Sequence, residues 1–133
     1  MPPSGLKSRS KGVRGELIFS AFLRGWQRDG SIVEARRSAM QARGGHEAED
    51  LIHSLGGFHL EVSVDIRMDV GTTRLSTKLI QAEADAKEGR VALVAWHPTR
   101  KPWRISWRGW RGMIVTSSAE GWMTAQGYTR VSP

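Results

Sequence analysis

At 133 residues the chain suits one compact domain and leaves little for a second. Its 20 Lys and Arg outweigh 13 Asp and Glu, giving a net charge of +7 that favours a polyanionic partner, of which nucleic acid is the commonest. The chain has no Cys, which excludes a disulfide framework and a thiolate metal site, so any metal must rest on oxygen or imidazole ligands.

No apolar run approaches the roughly 18 residues needed to span a bilayer. The basic opening is not followed by an apolar core of the signal-peptide kind, and the expectation is a soluble, cytoplasmic protein with no membrane partner. Residues 1–12 are Pro, Gly, Ser and Lys/Arg with almost nothing to bury, and read as a mobile basic arm. Over residues 13–28 the apolar Leu17, Ile18, Ala21, Phe22 and Trp26 recur at helical spacing between Arg14, Arg24 and Arg28, so a helix is expected, stopped by Asp29 and Gly30. Glu16 falls near its first turn, where the helix dipole favours a carboxylate in any case. Residues 31–38 have the β-branched character of a short strand, and residues 39–48, with a Gly pair and no periodicity, predict a loop. A strand at residues 49–55 is expected to turn at Gly56-Gly57 and pair with the next strand as a hairpin.

The strongest signal is at residues 58–70, where Phe58, Leu60, Val62, Val64, Ile66, Met68 and Val70 alternate with His59, Glu61, Ser63, Asp65, Arg67 and Asp69. Strict alternation predicts one long strand, with Glu61, Ser63 and Asp65 together on its polar face. Gly71 breaks the pattern, and Thr72 or Thr73 suits the cap of a helix running to about residue 87, with Leu75, Leu79, Ala82 and Ala86 on one stripe. The nearly all-apolar residues 91–97 predict a strand covered on both faces. A strand, helix, strand succession predicts parallel neighbours joined by a right-handed crossover. At residues 103–107, Trp103, Ile105 and Trp107 alternate with Arg104 and Ser106, predicting a strand that pairs back across the turn at residues 99–102. In WRISWRGWRG indole and guanidinium recur together, a combination that stacks on bases or builds a core or subunit interface. Residues 112–133 offer no assignable element.

The expected architecture is therefore an α/β domain over residues 13–111, a mixed central sheet with a helix on each side. Its order is helix, three strands, helix, two strands, followed by a C-terminal extension. Glu16 lies on the first helix, Asp50 opens a strand, Glu61 is on the long strand and Gln81 on the second helix. Pairing through Gly56-Gly57 would bring Asp50 and Glu61 together. Two carboxylates with a backbone carbonyl and water make an oxygen site suited to Mg²⁺ or Mn²⁺, able to promote phosphodiester hydrolysis. His46, His53, His59 and His97 form no recognisable metal pair and read as surface or hydrogen-bonded residues.

The succession Glu16, Glu49-Asp50-Leu51, Glu61-Val62-Ser63 and Gln81-Ala82-Glu83-Ala84-Asp85-Ala86 resembles the PD-(D/E)XK nuclease superfamily. Within it, the match is to the Holliday-junction resolvases of archaea and their phage relatives, over residues 11–107. The resemblance implies a restriction-endonuclease-like fold and a homodimeric, Mg-dependent endonuclease that resolves four-way DNA junctions in recombination and repair. It implies Glu16 as the helix acid, Asp50 as the central metal ligand and Glu61 as the second. Ser63 and Gln81 take the remaining catalytic positions, and Ser38 is the candidate for the family's serine in the loop before the aspartate. Lys7, Arg9, Lys11, Arg14, Arg36, Arg37 and Arg43 would contact phosphates.

At one point the chain departs from that pattern in a way that bears on chemistry. Ser63 stands where the motif has Lys, whose charge ordinarily offsets that of the transition state. Glu49 in place of Pro is a milder change. Arg67, expected on the same strand face, or Lys78, one helical turn before Gln81, can supply the charge from a neighbouring element. Otherwise the chain binds DNA junctions without cutting them well; a superfamily nuclease acting on other DNA structures is a third reading.

Overall fold

The computed structural model describes residues 4–38, 50–97 and 101–131, the side chains of residues 4–11 excepted. Phe19 and Leu23, one helical turn apart, are fully buried and anchor helix α1 (Ser4–Leu23) to the core. Once that turn is held, the Lys, Arg and Leu residues before it extend the helix at little cost, because its nucleus already exists. The helix accordingly begins inside the stretch read as a basic arm. It also stops short of the expected residue 28. Trp26, which satisfies the helical spacing, belongs to strand β1 (Trp26–Arg28), and Asp29-Gly30 joins it to β2 (Ser31–Ile32). Asp29 and Gly30 have φ of 53° and 80°, the left-handed pair of a two-residue hairpin turn.

The strand expected at residues 31–38 divides between β2 and β3 (Ala35–Arg37), and β3 pairs antiparallel with β4 (Leu51–His53). The expected β4 hairpin through Gly56-Gly57 does not form as a ladder. Strand β5 (Phe58–Ser63) instead opens a four-stranded sheet, order β5-β6-β7-β8, with β6 (Val91–Trp96), β7 (Arg104–Arg108) and β8 (Ile114–Ser118). β5 and β6 are parallel, as the strand, helix, strand succession predicts, and the remaining pairs are antiparallel.

Two cores lie on the two faces of this sheet. Helix α2 (Thr73–Asp85) lays its stripe of Leu75, Leu79 and Ala82 over Ala92, Val94 and Trp96, with Met68 closing the cluster. Its cap is Thr72, whose hydroxyl accepts from the Leu75 N–H at 3.3 Å. On the opposite face Leu60, Val62, Leu93, Ala95 and Ile105 meet Phe19 and Leu23 of α1 and the residues of helix α3 (Ala119–Ala125). The architecture is a mixed sheet flanked by helices, as expected, but residues 112–131 are an integral part of it. Ala119, Trp122 and Met123 are buried, Ser118 caps α3 by accepting from the Gly121 N–H at 3.0 Å, and β9 (Thr129–Arg130) pairs with β1. Trp96, fully buried, donates its indole N–H to Ser106 Oγ at 2.8 Å, which in turn bonds Thr116 Oγ1 at 2.7 Å across β6, β7 and β8.

The long strand predicted over residues 58–70 ends at Ser63. Asp65 accepts at Oδ1 from both the backbone N–H and the Nε of Arg67, at 3.0 and 3.1 Å, and its carbonyl accepts from the Met68 N–H at 2.9 Å. A short acid that bonds its own backbone two residues on competes with the ladder and favours a turn. Among the described residues, no helix is long and apolar enough to cross a membrane. Thr72→Ala should lower stability by about 1 kcal/mol through the lost cap, and Leu79→Ala by about 2–5 kcal/mol through the cavity left between α2 and β6, both read from urea midpoints.

Candidate active site

Among the described residues β5 is the last strand of its sheet, and donors on its outer side meet partners other than a ladder strand of that sheet. One of them, the Val62 N–H, donates to Asp50 Oδ2 at 2.6 Å. This bond reaches across from the residue preceding β4 and brings Asp50 to Glu61 without the hairpin ladder expected between their strands. Both acids are buried, 7% and 5% exposed. Burial, then the charge of Glu61, pushes the Asp50 carboxyl up to about 8, against the opposing pull of the Val62 N–H and of Lys78. Burial works to raise Glu61 as well. Hydrogen bonds with His59 and Asp50 and the charge of Lys78 outweigh it and hold Glu61 below the usual carboxylate range. At neutral pH the pair therefore keeps one proton between its two carboxyls.

His59 is 1% exposed, and its Nε2 lies 3.0 Å from Glu61 Oε1. It is the hydrogen-bonded histidine of the sequence reading, not a surface one. The signal for it was present: two residues apart on one strand, His59 and Glu61 must share a face. His53 and His97 have structural contacts, His53 Nδ1 accepting from the Leu55 N–H and His97 stacking on Trp103. His46 lies outside the described residues.

Around the acid pair the other expected residues separate. Ser63, at the end of β5, lines two clefts, one on the α1 side with Gly12 and Val64, the other on the α2 side with Thr77, Lys78 and Gln81. Lys78 is half-buried and its charge reaches both Asp50 and Glu61. Arg67 is not on the strand face. It sits in the turn after β5 and, with Arg74 at 3.1 Å, is bound to Asp65. Asp65, expected beside Glu61 and Ser63 on the strand face, instead lies past the end of β5, where it lines both clefts with Ser63 and is held below its ordinary pKa; partial burial opposes, but the Arg67 bonds and the Arg74 charge prevail.

Glu16 is buried and accepts from Arg37 Nε at 2.6 Å. It occupies the helix position expected, held against the sheet because α1 crosses close by: a Cβ on Gly15 would lie 2.8 Å from Val64 Cγ1. Among the described residues, however, no three His, Asp or Glu gather as a metal-ligand set. Glu16 is committed to Arg37, and the acids the structure brings together are Asp50 and Glu61. Ser38 is buried beside Asp50, its N–H donating to the Asp50 carbonyl at 3.2 Å. Arg14 and Arg36 are exposed. The side chains of Lys7, Arg9 and Lys11, and all of Arg43 and Glu49, lie outside the described residues.

Two buried carboxyls in contact, Asp50 held raised by burial and by the charge of Glu61, form a donor set that a divalent cation fits, since its charge would let both ionise. No family model matches the chain, and no curated protein matches it in sequence. A solved structure is similar to it. That structure is Hjc, a Holliday junction resolvase from the archaeal hyperthermophile Archaeoglobus fulgidus, 19% identical, with a TM-score of 0.42, covering 80% of this chain and 86% of the other. At that identity and score no residue role passes from one chain to the other.

The Asp50 proton gives a pH dependence with a definite sign. Unfolded, Asp50 ionises near its ordinary value of 3.8, whereas folded it does so at about 8, so between these the folded chain holds the extra proton and stability falls as pH rises. Glu61, depressed, acts oppositely and only below its ordinary value of 4.5. In EDTA the thermal midpoint should fall from pH 5 to pH 8 more steeply for the native chain than for Asp50→Asn; parallel profiles would show that Asp50 does not hold that proton.

Proposed function

We propose that the chain is a metal-dependent DNA endonuclease whose catalytic centre is the Asp50–Glu61 pair, and that its substrate is the four-way junction. The observation that carries the hydrolytic reading is the buried contact of two carboxyls at the end of β5 with a lysine charge over both. The succession of short motifs around Glu16, Asp50, Glu61 and Gln81 supports the narrower reading of a junction resolvase, and so does the excess of positive charge.

In this reading Asp50 and Glu61 would hold Mg²⁺ or Mn²⁺. The chemistry such a cation supplies when bound is polarisation of a phosphodiester and a lowered pKa for water. The chain's own residues do the rest. The Val62 N–H fixes Asp50, and His59 fixes Glu61, so both carboxyls are oriented before substrate arrives. Lys78 supplies, from the neighbouring helix, the positive charge that Ser63 lacks, and offsets the charge that develops on the phosphoryl oxygens. Ser63 and Gln81 line the same cleft as Lys78 and offer it uncharged hydrogen-bonding groups. Glu16 acts through Arg37, holding α1 to β3 beside the site. Arg14 and Arg36, with Lys7, Arg9, Lys11 and Arg43, are the proposed phosphate contacts, and a homodimer would present two such sites to a junction.

End-labelled four-way junctions with Mg²⁺ or Mn²⁺ test this. The native chain should nick paired strands and prefer the junction over a duplex of equal length, Glu61→Ala should abolish nicking, and Lys78→Ala should slow it roughly a hundredfold or more. Binding without nicking in the native chain, with nicking gained in Ser63→Lys, would instead establish a junction binder that lacks only its lysine. Nicking without junction preference would sink the narrower reading alone. A readout separate from activity is thermal: Mn²⁺ should raise the melting midpoint of the native chain at pH 8, and not that of Asp50→Asn.

A further inference from the structure

Five of the six tryptophans serve the fold: Trp26, Trp96 and Trp122 are buried, and Trp103 and Trp107 pack partly buried against the core. Trp110 does not. It is 82% exposed, at the start of the 3-10 turn (Trp110–Gly112) that joins β7 to β8.

That turn is anchored from beneath. The Gly109 N–H donates to the Met113 carbonyl at 2.8 Å, and Arg108 Nη1 donates to the Gly112 carbonyl at 2.8 Å. The same guanidinium forks onto Glu83 of α2 through Nε and Nη2, each at 2.8 Å. Inside the turn Arg111 adopts φ 64° and ψ 18°, a left-handed conformation that costs energy for a residue with a side chain. The guanidinium of Arg111 lies over the Trp110 indole, 4.3 Å from its centroid. An indole held out in water on a strained, anchored tip adds nothing to the core. It meets the need of a binding site whose aromatic is ordered in advance.

We propose that the β7–β8 tip is a stacking site for an unpaired nucleobase, separate from the acid pair. Arg111 covers one face of the indole, and the exposure of Trp110 leaves the other open to a flat ring. The cleft at the foot of the tip is lined by Lys87, Arg90 and Arg108, with Glu83 already bound to Arg108 and Glu88 as the remaining acid. A planar ring attached to phosphates matches this pairing of indole and cations, and stacking tolerates any base. Glu61, Val94 and Ser106 are in register across β5, β6 and β7, and Trp110 lies four residues past Ser106. With strand spacings of about 4.8 Å and a rise of about 3.3 Å, the tip is roughly 15 Å from the acid pair. The site goes beyond the hydrolytic reading and does not depend on it. Met113 and Val115, exposed beside the tip, would suit a second copy of the chain instead, and the test includes that outcome.

The experiment is fluorescence anisotropy in EDTA with the full chain, using a labelled oligothymidylate of about ten nucleotides and a blunt-ended duplex of equal length. Trp110→Ala should weaken single-strand binding about tenfold, Trp110→Phe should restore most of it, and the duplex affinity should stay within twofold of native. Absence of single-strand binding by the native chain, an unchanged single-strand affinity in Trp110→Ala, or equal loss for both probes would overturn the proposal. So would sedimentation showing that Trp110→Ala turns a dimer into a monomer, which would make the tip a self-association surface. Because binding is read in EDTA, a failed cleavage assay leaves this result standing, and the reverse.

Discussion

A single hydrogen bond, from the Val62 N–H to Asp50 Oδ2, ties the two parts of the chain's chemistry together. Among the described residues β5 is the last strand of its sheet and β4 belongs to a different one, so no ladder between these two strands holds Asp50 against Glu61. The carboxylate takes the donor that a further strand would have taken. It thereby blocks a sheet edge and creates a buried pair of acids in one step. The strain of that arrangement is electrostatic. It appears as a proton that Asp50 keeps to about pH 8, and as the drawing in of His59 and Lys78 around the pair.

The elements legible in the sequence are those whose periodicity is long enough to be unambiguous and whose ends carry a chemical stop. Helix α2 has both: the Leu75, Leu79, Ala82 stripe and the Thr72 cap. β6 and β7 follow from an apolar run and a clean alternation. The failures have physical causes. Trp26 fits a helical stripe and a strand equally well, and only the pairing of β1 with β2 and β9 decides between them. Alternation past Ser63 is real but idle, because Asp65 prefers its own turn to the ladder. In residues 112–133 the signal existed, with Ser118 as cap and Ala119, Trp122 and Met123 at helical spacing. A seven-residue helix is too short to stand out from its neighbours by pattern alone.

The candidate site was legible as an order of acids rather than as a geometry. Asp50 and Glu61 do meet, though by a side-chain bond and not through the Gly56-Gly57 hairpin. Of the two cations offered in place of the missing lysine, Arg67 is committed to Asp65, while the Lys78 charge acts on both members of the pair. The sequence could not rank them, because the choice turns on where β5 ends. Glu16 illustrates the converse, a residue in its expected element whose partner, Arg37, comes from a strand no motif marked.

The small sheet of β1, β2 and β9 carries a consequence for how the molecule comes into being. Gln27 and Arg130, joined across it, are 103 residues apart in the chain. Closing so long a loop is entropically costly and is repaid only after the intervening strands are in place, which makes this pairing a late event in folding. α1 leads directly into β1, and Arg130 stacks on Trp26, so the docking of the helix that bears Glu16 is consolidated by a segment the ribosome makes after every acid of the site. A nascent chain thus carries Glu16, Asp50 and Glu61 well before the strand that pairs with β1, and this small sheet forms only once residues 129–130 have emerged.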